Sequence, residues 1–170
     1  MRVKTIIDER FEDYKLPSMY IGCIYCDGKC AIEGGFPLSH CINEKWNETI
    51  IRELDDDEII ERYLRNSLTK AIVFGLLEPM CQFNEVYTFI KKLRQQYHCN
   101  DTVVIYTGYT EEECIQNSWL TQLEVLGNII VKFGRYSPGQ TPHYDEILGV
   151  KLASDNQYAK LFGVKNESEL

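Results

Sequence analysis

The chain has 170 residues, of which 44% are hydrophobic and 26% are charged, values that are typical of a globular domain. They exclude wholesale disorder and a collagen-like chain, and they favour one domain over residues 1–170, with its core at about residues 18–157. The 26 acidic and 18 basic side chains give a formal net charge of −8, which excludes the broad basic surface of a general nucleic-acid-binding protein.

The sequence pattern leads us to expect neither a membrane span nor a signal peptide. No stretch approaches the ~20 apolar residues of a membrane span, and the first ten residues, MRVKTIIDER, carry charges where a signal peptide has a long apolar run. We therefore expect a cytoplasmic protein without a membrane partner. In that reducing compartment, the seven cysteines are interpreted as ligands, nucleophiles or small buried residues instead of disulfides.

Apolar runs along the chain predict alternating strands and helices. Continuous runs predict buried strands at residues 18–22 (SMYIG), 71–75 (AIVFG), 102–106 (TVVIY) and 128–132 (NIIVK), and a weaker one at residues 149–153 (GVKLA). Apolar residues at helical spacing predict helices at residues 55–66, 84–96 and 111–126. This alternation predicts the α/β class, with a mostly parallel sheet and crossover helices.

Two loops and one frayed end complete this prediction. Residues 23 to about 46 contain several glycines and no helical period, and a loop of this length in a compact domain is usually functional. Residues 134–144 have the proline and glycine content of a surface loop, and residues 165–170 are expected to be frayed.

Four of the seven cysteines fall within nineteen residues after the first predicted strand: Cys23, Cys26, Cys30 and Cys41. Thiolates hold iron–sulfur clusters, and a four-iron cluster with three protein ligands leaves one iron open to a substrate. Three such ligands on one loop are plausible, but the same four cysteines could complete a tetrahedral zinc site, and unliganded cysteines are a third interpretation. Cys23 is interpreted either as a fourth ligand or as a small core residue, and the scattered cysteines as structural.

Several motifs in order resemble the radical S-adenosylmethionine (SAM) superfamily. They are YCDGKC at residues 25–30, CIN from Cys41, IVFGLLEP at residues 72–79 and IYTGY at residues 105–109. Within that superfamily the chain is similar to the small 4Fe-4S single-cluster domain proteins that activate anaerobic ribonucleotide reductase, and SDNQ at residues 154–157 resembles the Ser-x-Asn-Gln near the end of such activases. The resemblance implies a single-domain, partial (β/α) barrel-like fold.

The resemblance also implies a cofactor site. Cys26, Cys30 and Cys41 would ligate a 4Fe-4S cluster whose open iron binds the amino and carboxylate groups of SAM. The turn formed by Gly75, Leu76, Leu77 and Glu78, together with Thr107, would bind SAM, and Glu78 would receive its methionyl amino group. Ligands of open α/β sheets bind beyond the carboxyl ends of the strands, where these residues would converge. No catalytic residue beyond the cluster ligands is predicted.

The implied activity is that of a radical SAM oxidoreductase of the activase type. A reduced cluster would cleave SAM to a 5′-deoxyadenosyl radical, which abstracts a hydrogen atom. The implied partners are a glycyl-radical enzyme, such as anaerobic ribonucleotide reductase, and an electron donor such as flavodoxin or ferredoxin.

Two departures from the family pattern leave a second hypothesis open. Ten residues separate Cys30 from Cys41, and Leu76 stands where a glycine would let the backbone approach the ligand closely. The alternative is a non-catalytic 4Fe-4S or zinc binding module with a regulatory or assembly role. In that case Glu78 would only cap the helix that follows it.

Overall fold

In the computed structural model, residues 1–163 are described, and they form a six-stranded mixed sheet, two small two-stranded sheets and five α-helices. The strands are β1 (Arg2–Val3), β2 (Thr5–Arg10), β3 (Ser18–Gly22), β4 (Arg52–Glu53), β5 (Ala71–Gly75), β6 (Thr102–Tyr106), β7 (Ile129–Phe133), β8 (His143–Asp145), β9 (Val150–Leu152) and β10 (Tyr158–Phe162). The helices are α1 (Lys29–Gly34), α2 (Asp56–Arg65), α3 (Phe83–Gln95), α4 (Glu111–Gln116) and α5 (Trp119–Leu126). The frayed end predicted at residues 165–170 lies outside the described residues.

The central sheet confirms the predicted α/β class and the mostly parallel arrangement. Its strand order is β10-β7-β6-β5-β3-β2, in which β3, β5, β6 and β7 pair in parallel. The two edge strands, β2 and β10, pair antiparallel with their neighbours. The recorded pairings give an open sheet, and the barrel-like form stays a prediction.

The two faces of the central sheet are covered by different elements. Alternate residues of β5 point to opposite faces, so that Ile72 and Phe74 join the core formed with α2, α3 and α5. Ala71 and Val73 join a smaller core on the other face, which is covered by residues from the loops and by the β8–β9 pair. Helices α2, α3, α4 and α5 therefore lie on one face, which is called the helical face below, and the opposite one is called the inner face.

Three sequence-based elements differ from the structure. The predicted loop after β3 contains helix α1 and two short 3₁₀ helices, Leu38–His40 and Glu44–Glu48. The predicted helix at residues 111–126 is two helices, because Ser118 between them has a left-handed φ of 58°. The weak strand near residue 150 is confirmed as β9, but it pairs antiparallel with β8 outside the main sheet.

Strands β1, β2 and β4 were also not predicted. Strand β1 pairs with β4, and β2 forms an edge of the main sheet.

Helix α2 begins as its carboxylates predict, since the side chain of its N-cap Asp55 accepts a hydrogen bond from the Asp57 N–H at 2.7 Å. No helix within residues 1–163 combines the length and the apolar character that crossing a bilayer requires.

Candidate iron–sulfur site

The carboxyl ends of the four parallel strands bring the Cys26–Cys30 turn, the residues after β5 and Thr107 to one edge of the sheet. At the ends of β3 and β5, Gly22 pairs with Gly75, so that the cysteine loop and the turn at residues 76–78 leave the sheet side by side. Tyr106 at the end of β6 pairs with Lys132 in β7. This edge is where the resemblance expects a ligand to bind.

Cys26 and Cys30 lie on a short, well-defined turn at this edge. Gly28, between them, has a left-handed φ of 72° and precedes helix α1, and its N–H donates to the Cys26 Sγ at 3.4 Å. Cys30 is the second residue of α1. Its Sγ lies close to Gly108, since a Cβ at that glycine would be 3.1 Å from the Cys30 sulfur and 3.5 Å from a carboxylate oxygen of Glu78. The structure therefore brings Cys30 and Glu78 to the same point after β6.

Side chains from distant parts of the chain hold the cysteine turn. The Tyr109 hydroxyl donates to Asp27 at 2.6 Å, and Lys29 forms an ion pair with Glu113 at 2.8 Å. These contacts fix the turn to the residues that follow β6.

Arg135, which follows β7, joins the same network. It pairs with Glu33 of α1 at 2.9 Å and with Glu113 of α4 at 2.8 Å, and it donates to the carbonyl of Gly108. With about a tenth of its side chain exposed, this guanidinium forms charge-assisted bonds in a partly buried setting.

Burial is the main influence on both thiols. It raises the pKa of Cys26 to about 12, against the opposing effect of the Gly28 N–H. Burial also raises the pKa of Cys30, while the Tyr136 N–H and the charges of Arg135 and Lys132 oppose the rise. Both groups are therefore neutral thiols in the metal-free chain at pH 7, and binding a metal centre as thiolates would release their protons.

Cys41 is placed differently from the other two predicted ligands. It follows the 3₁₀ helix Leu38–His40 in a segment that is mostly exposed, and its own side chain is half-buried. Within residues 1–163, no group of three or more His, Cys, Asp or Glu side chains is arranged to hold a metal ion. The structure thus brings the Cys26–Cys30 turn to the sheet edge but does not assemble Cys41 with it.

Cys23 is a core residue in the structure. It directly follows β3, is 0% exposed, and packs in the core on the helical face. Burial raises the pKa of its thiol well above the ordinary value. These features match the core interpretation of Cys23 and give no support to the four-cysteine zinc site.

Glu78 has the capping role that the sequence left open, and it has further contacts. Its Oε1 accepts from the Met80 N–H at 3.0 Å, at the start of the 3₁₀ helix Pro79–Gln82, and from the Thr107 hydroxyl at 2.6 Å. Its Oε2 accepts from the Gly108 N–H at 2.8 Å. Burial raises the pKa of this carboxyl, and these hydrogen bonds oppose the rise. Because a carboxylate has about four acceptor positions, one remains for a ligand.

The turn after β5 shows why residue type matters there. Gly75 lies against the Tyr20 hydroxyl, which would be 2.8 Å from a Cβ at this position. Leu76 has a left-handed φ of 73°, a conformation that costs a residue with a side chain roughly 1–2 kcal/mol. The Leu76 side chain lies over Gly22, and Leu77 is buried. The position that the sequence singled out as a departure is thus one whose backbone suits glycine.

Sequence reasoning missed the charged groups of this edge. Lys132 lies in an apolar strand pattern, and Glu113 and Arg135 act through contacts between distant elements. In the SDNQ motif at residues 154–157, the side-chain amide of Gln157 donates to the carbonyl of Gly134 at 3.3 Å. In the same motif, the side-chain amide of Asn156 donates to the carbonyl of Arg135 at 3.0 Å. The motif thereby holds the backbone that carries Arg135, and it is the sequence signal that points to this part of the edge.

The comparison with protein families agrees with the cysteine-based interpretation. A family model described as a 4Fe-4S single cluster domain matches residues 22–147, which is most of the chain. The chain therefore belongs to the 4Fe-4S single cluster domain family. No curated protein and no solved structure gives a significant match.

The residues at the site fit the cofactor of this family in their chemistry. Fe–S clusters take cysteine thiolates, and the matched span contains two half-buried thiols on one turn and a third in the following segment. Iron–sulfur and metal binding are thus shown at the level of the family. Which three cysteines serve as ligands stays a prediction.

Proposed function

We propose that the protein is a radical SAM enzyme of the small activase type, in which Cys26, Cys30 and Cys41 ligate the 4Fe-4S cluster. The observation that carries this proposal is the meeting of Cys30 and Glu78 at Gly108, within the span that matches the cluster-domain family. A cluster ligand and a buried carboxylate would then lie beside the same bound SAM. When bound and reduced, the cluster would supply one electron that cleaves SAM to methionine and a 5′-deoxyadenosyl radical.

The chain's own residues would bind and orient SAM. The free acceptor position of Glu78 would receive the methionyl amino group, with Thr107 holding the carboxylate in place through its hydroxyl. The backbone of Gly75, Leu76 and Leu77 would form the wall beside it. The Asp27, Lys29 and Glu33 contacts would keep the cysteine turn in position.

The protein target of this chemistry would be a glycyl-radical enzyme such as anaerobic ribonucleotide reductase, with flavodoxin or ferredoxin as the electron donor. Exposed apolar side chains flank the cysteine turn, among them Tyr25, Ile32 and Ile42. Contiguous exposed apolar patches mark protein contacts, and these three side chains would form part of such a contact with the target enzyme.

The test is the release of 5′-deoxyadenosine after anaerobic reconstitution with iron and sulfide, addition of SAM and reduction with dithionite. Wild-type protein should release it, and Cys30→Ala should not. The matched control is Cys99→Ala, which removes a half-buried thiol away from the motif and should retain activity. Release by Cys30→Ala at the wild-type level would contradict the proposal.

A second candidate function is a non-catalytic cluster-binding module with a regulatory or assembly role. Leu76 favours it, because a residue with a side chain stands at a left-handed backbone position where the family pattern has a glycine. Calorimetric titration of SAM into the cluster-loaded protein separates the two functions. Binding supports the enzyme, whereas a loaded cluster that gives no binding heat and no SAM cleavage supports the module.

A further inference from the structure

Lys132 is a buried cation on the inner face of the sheet. It lies in β7 opposite Tyr106 of β6, only 6% of its surface is exposed, and its Nζ lies 5.9 Å from the centre of the Tyr106 ring. Lysine is almost never buried to this extent without a charged partner. Its burial at this edge of the sheet is therefore unusual for a lysine.

The contacts of Lys132 leave most of its hydrogen-bonding capacity unused. Its ammonium has three N–H donors but donates only to the Gly134 carbonyl, at 3.2 Å, among residues 1–163. No carboxylate in this part of the chain lies within ion-pair distance of it. By contrast, Lys29 and Arg135 at the same edge are both neutralised by carboxylates.

The charge of Lys132 acts on the two groups that meet at Gly108. It opposes the rise in pKa that burial causes at the Cys30 thiol and at the Glu78 carboxyl. Conversely, burial lowers the pKa of Lys132 to about 8, and the charges of Glu78 and Cys30 oppose that shift. The hydrogen bonds agree with this placement. Gly134, which accepts from the Lys132 ammonium, donates its N–H to the Tyr109 carbonyl at 3.1 Å, and the Lys132 carbonyl accepts from the Thr107 N–H at 2.9 Å. Lys132 therefore lies beside the residues that follow β6.

We propose that the positive charge of Lys132 raises the reduction potential of the iron–sulfur cluster. This role rests on the proposed cluster site at Cys26, Cys30 and Cys41. Reduction adds one electron to the cluster and neither forms nor breaks a bond, so the cluster becomes more negative by one unit. A fixed, buried cation beside it stabilises the reduced form, since net charge and local environment set cluster potentials.

The experiment is an anaerobic redox titration, at pH 7 and without SAM, of the reconstituted wild-type protein and three variants. Lys132→Gln keeps a donor for the Gly134 carbonyl but removes the charge, Lys132→Met removes both, and Lys132→Arg keeps the charge. The matched control is Lys151→Gln, which removes the charge of an exposed lysine on β9. Iron and acid-labile sulfide are measured on each sample.

At one applied potential, Lys132→Gln and Lys132→Met should each lower the ratio of reduced to oxidised cluster about tenfold, which is ~59 mV for a one-electron couple. Lys132→Arg and Lys151→Gln should stay near the wild-type ratio. If the two uncharged variants load iron and sulfide but keep the wild-type potential, the role of Lys132 is wrong and the cluster site stands. If wild-type protein loads no cluster, both proposals fail.

Discussion

Two neighbouring residues at the end of β5 show how side chains and backbone limit each other at this site. Gly75 is next to a buried tyrosine hydroxyl, and Leu76 holds a left-handed backbone without being glycine. A pattern of apolar letters predicts the strand up to this point. It contains no information on the dihedral angle of the next residue or on the ring packed against it, which is why Leu76 could be noticed only through the family resemblance.

At the residue scale, we expect Gly75→Ala to lower the free energy of unfolding by about 1–3 kcal/mol, because its Cβ would overlap the Tyr20 hydroxyl. Tyr20→Phe removes that oxygen. In the double variant, part of the Gly75→Ala loss should therefore be recovered, giving a coupling of about 0.5–1 kcal/mol in a double-mutant cycle by urea denaturation. Strictly additive losses would show that the two groups do not compete for space.

The buried strands are the elements that sequence reasoning placed best. The predicted strands at residues 18–22, 71–75 and 102–106 coincide with β3, β5 and β6, because short apolar runs that are buried on both faces have clear ends. Helix α1 was missed for the opposite reason. It has six residues and one buried side chain, so it shows no apolar period. An ion pair between Glu33 and Arg135 holds it in place instead of a buried apolar face.

The break between α4 and α5 could not be predicted, because apolar residues keep their helical spacing across it. Ser118 at the break is exposed, has a left-handed φ of 58°, and makes no capping hydrogen bond through its side chain. Nothing in the residue letters distinguishes it from a serine within a helix.

At the element scale, we expect Ser118→Gly to raise the free energy of unfolding by about 0.5–1 kcal/mol, because glycine adopts the left-handed conformation without steric strain. Gln122→Gly, on the exposed side of α5, should lower the free energy of unfolding, since glycine weakens a helix interior by about 0.5–1 kcal/mol. Chemical denaturation of both variants tests the pair. A loss of stability in Ser118→Gly would contradict the assigned backbone conformation.

The whole molecule depends on contacts that join parts of the chain far apart in sequence. Edge strands β2 and β10 are half-exposed and pair antiparallel, so their pattern did not stand out from loops. The same limit applies to the site. Cysteines and Glu78 carry motif signals, but the clamp formed by Arg135 with Glu33 and Glu113 exists only after the sheet has formed.

At the scale of the molecule, we expect this clamp to make stability depend on pH. Burial alone would raise the pKa of Glu113, but hydrogen bonds from Arg135 and Lys29 outweigh it and lower the pKa to about 2 from the ordinary 4.5. Its stabilising effect, on the order of 1–2 kcal/mol because solvent screens this partly exposed group, is therefore full above pH 4.5 and is lost as pH falls towards 2.

The measurement compares wild type with Glu113→Gln by denaturation between pH 7 and pH 2. The variant should be less stable at pH 7, and the difference should shrink as the pH falls. Glu112→Gln is the matched control, because Glu112 is an exposed neighbour without an ion pair among residues 1–163. A difference for Glu113→Gln that stays constant across this range would contradict the clamp.

The most direct test of the central claim is the metal and sulfide content of anaerobically reconstituted protein. We predict about four iron and four acid-labile sulfide per wild-type chain, with broad absorption near ~400 nm. The content should drop in Cys26→Ala, Cys30→Ala and Cys41→Ala and be unchanged in Cys99→Ala. One bound zinc with no sulfide, or full cluster loading in all three ligand variants, would contradict a cluster held by these cysteines.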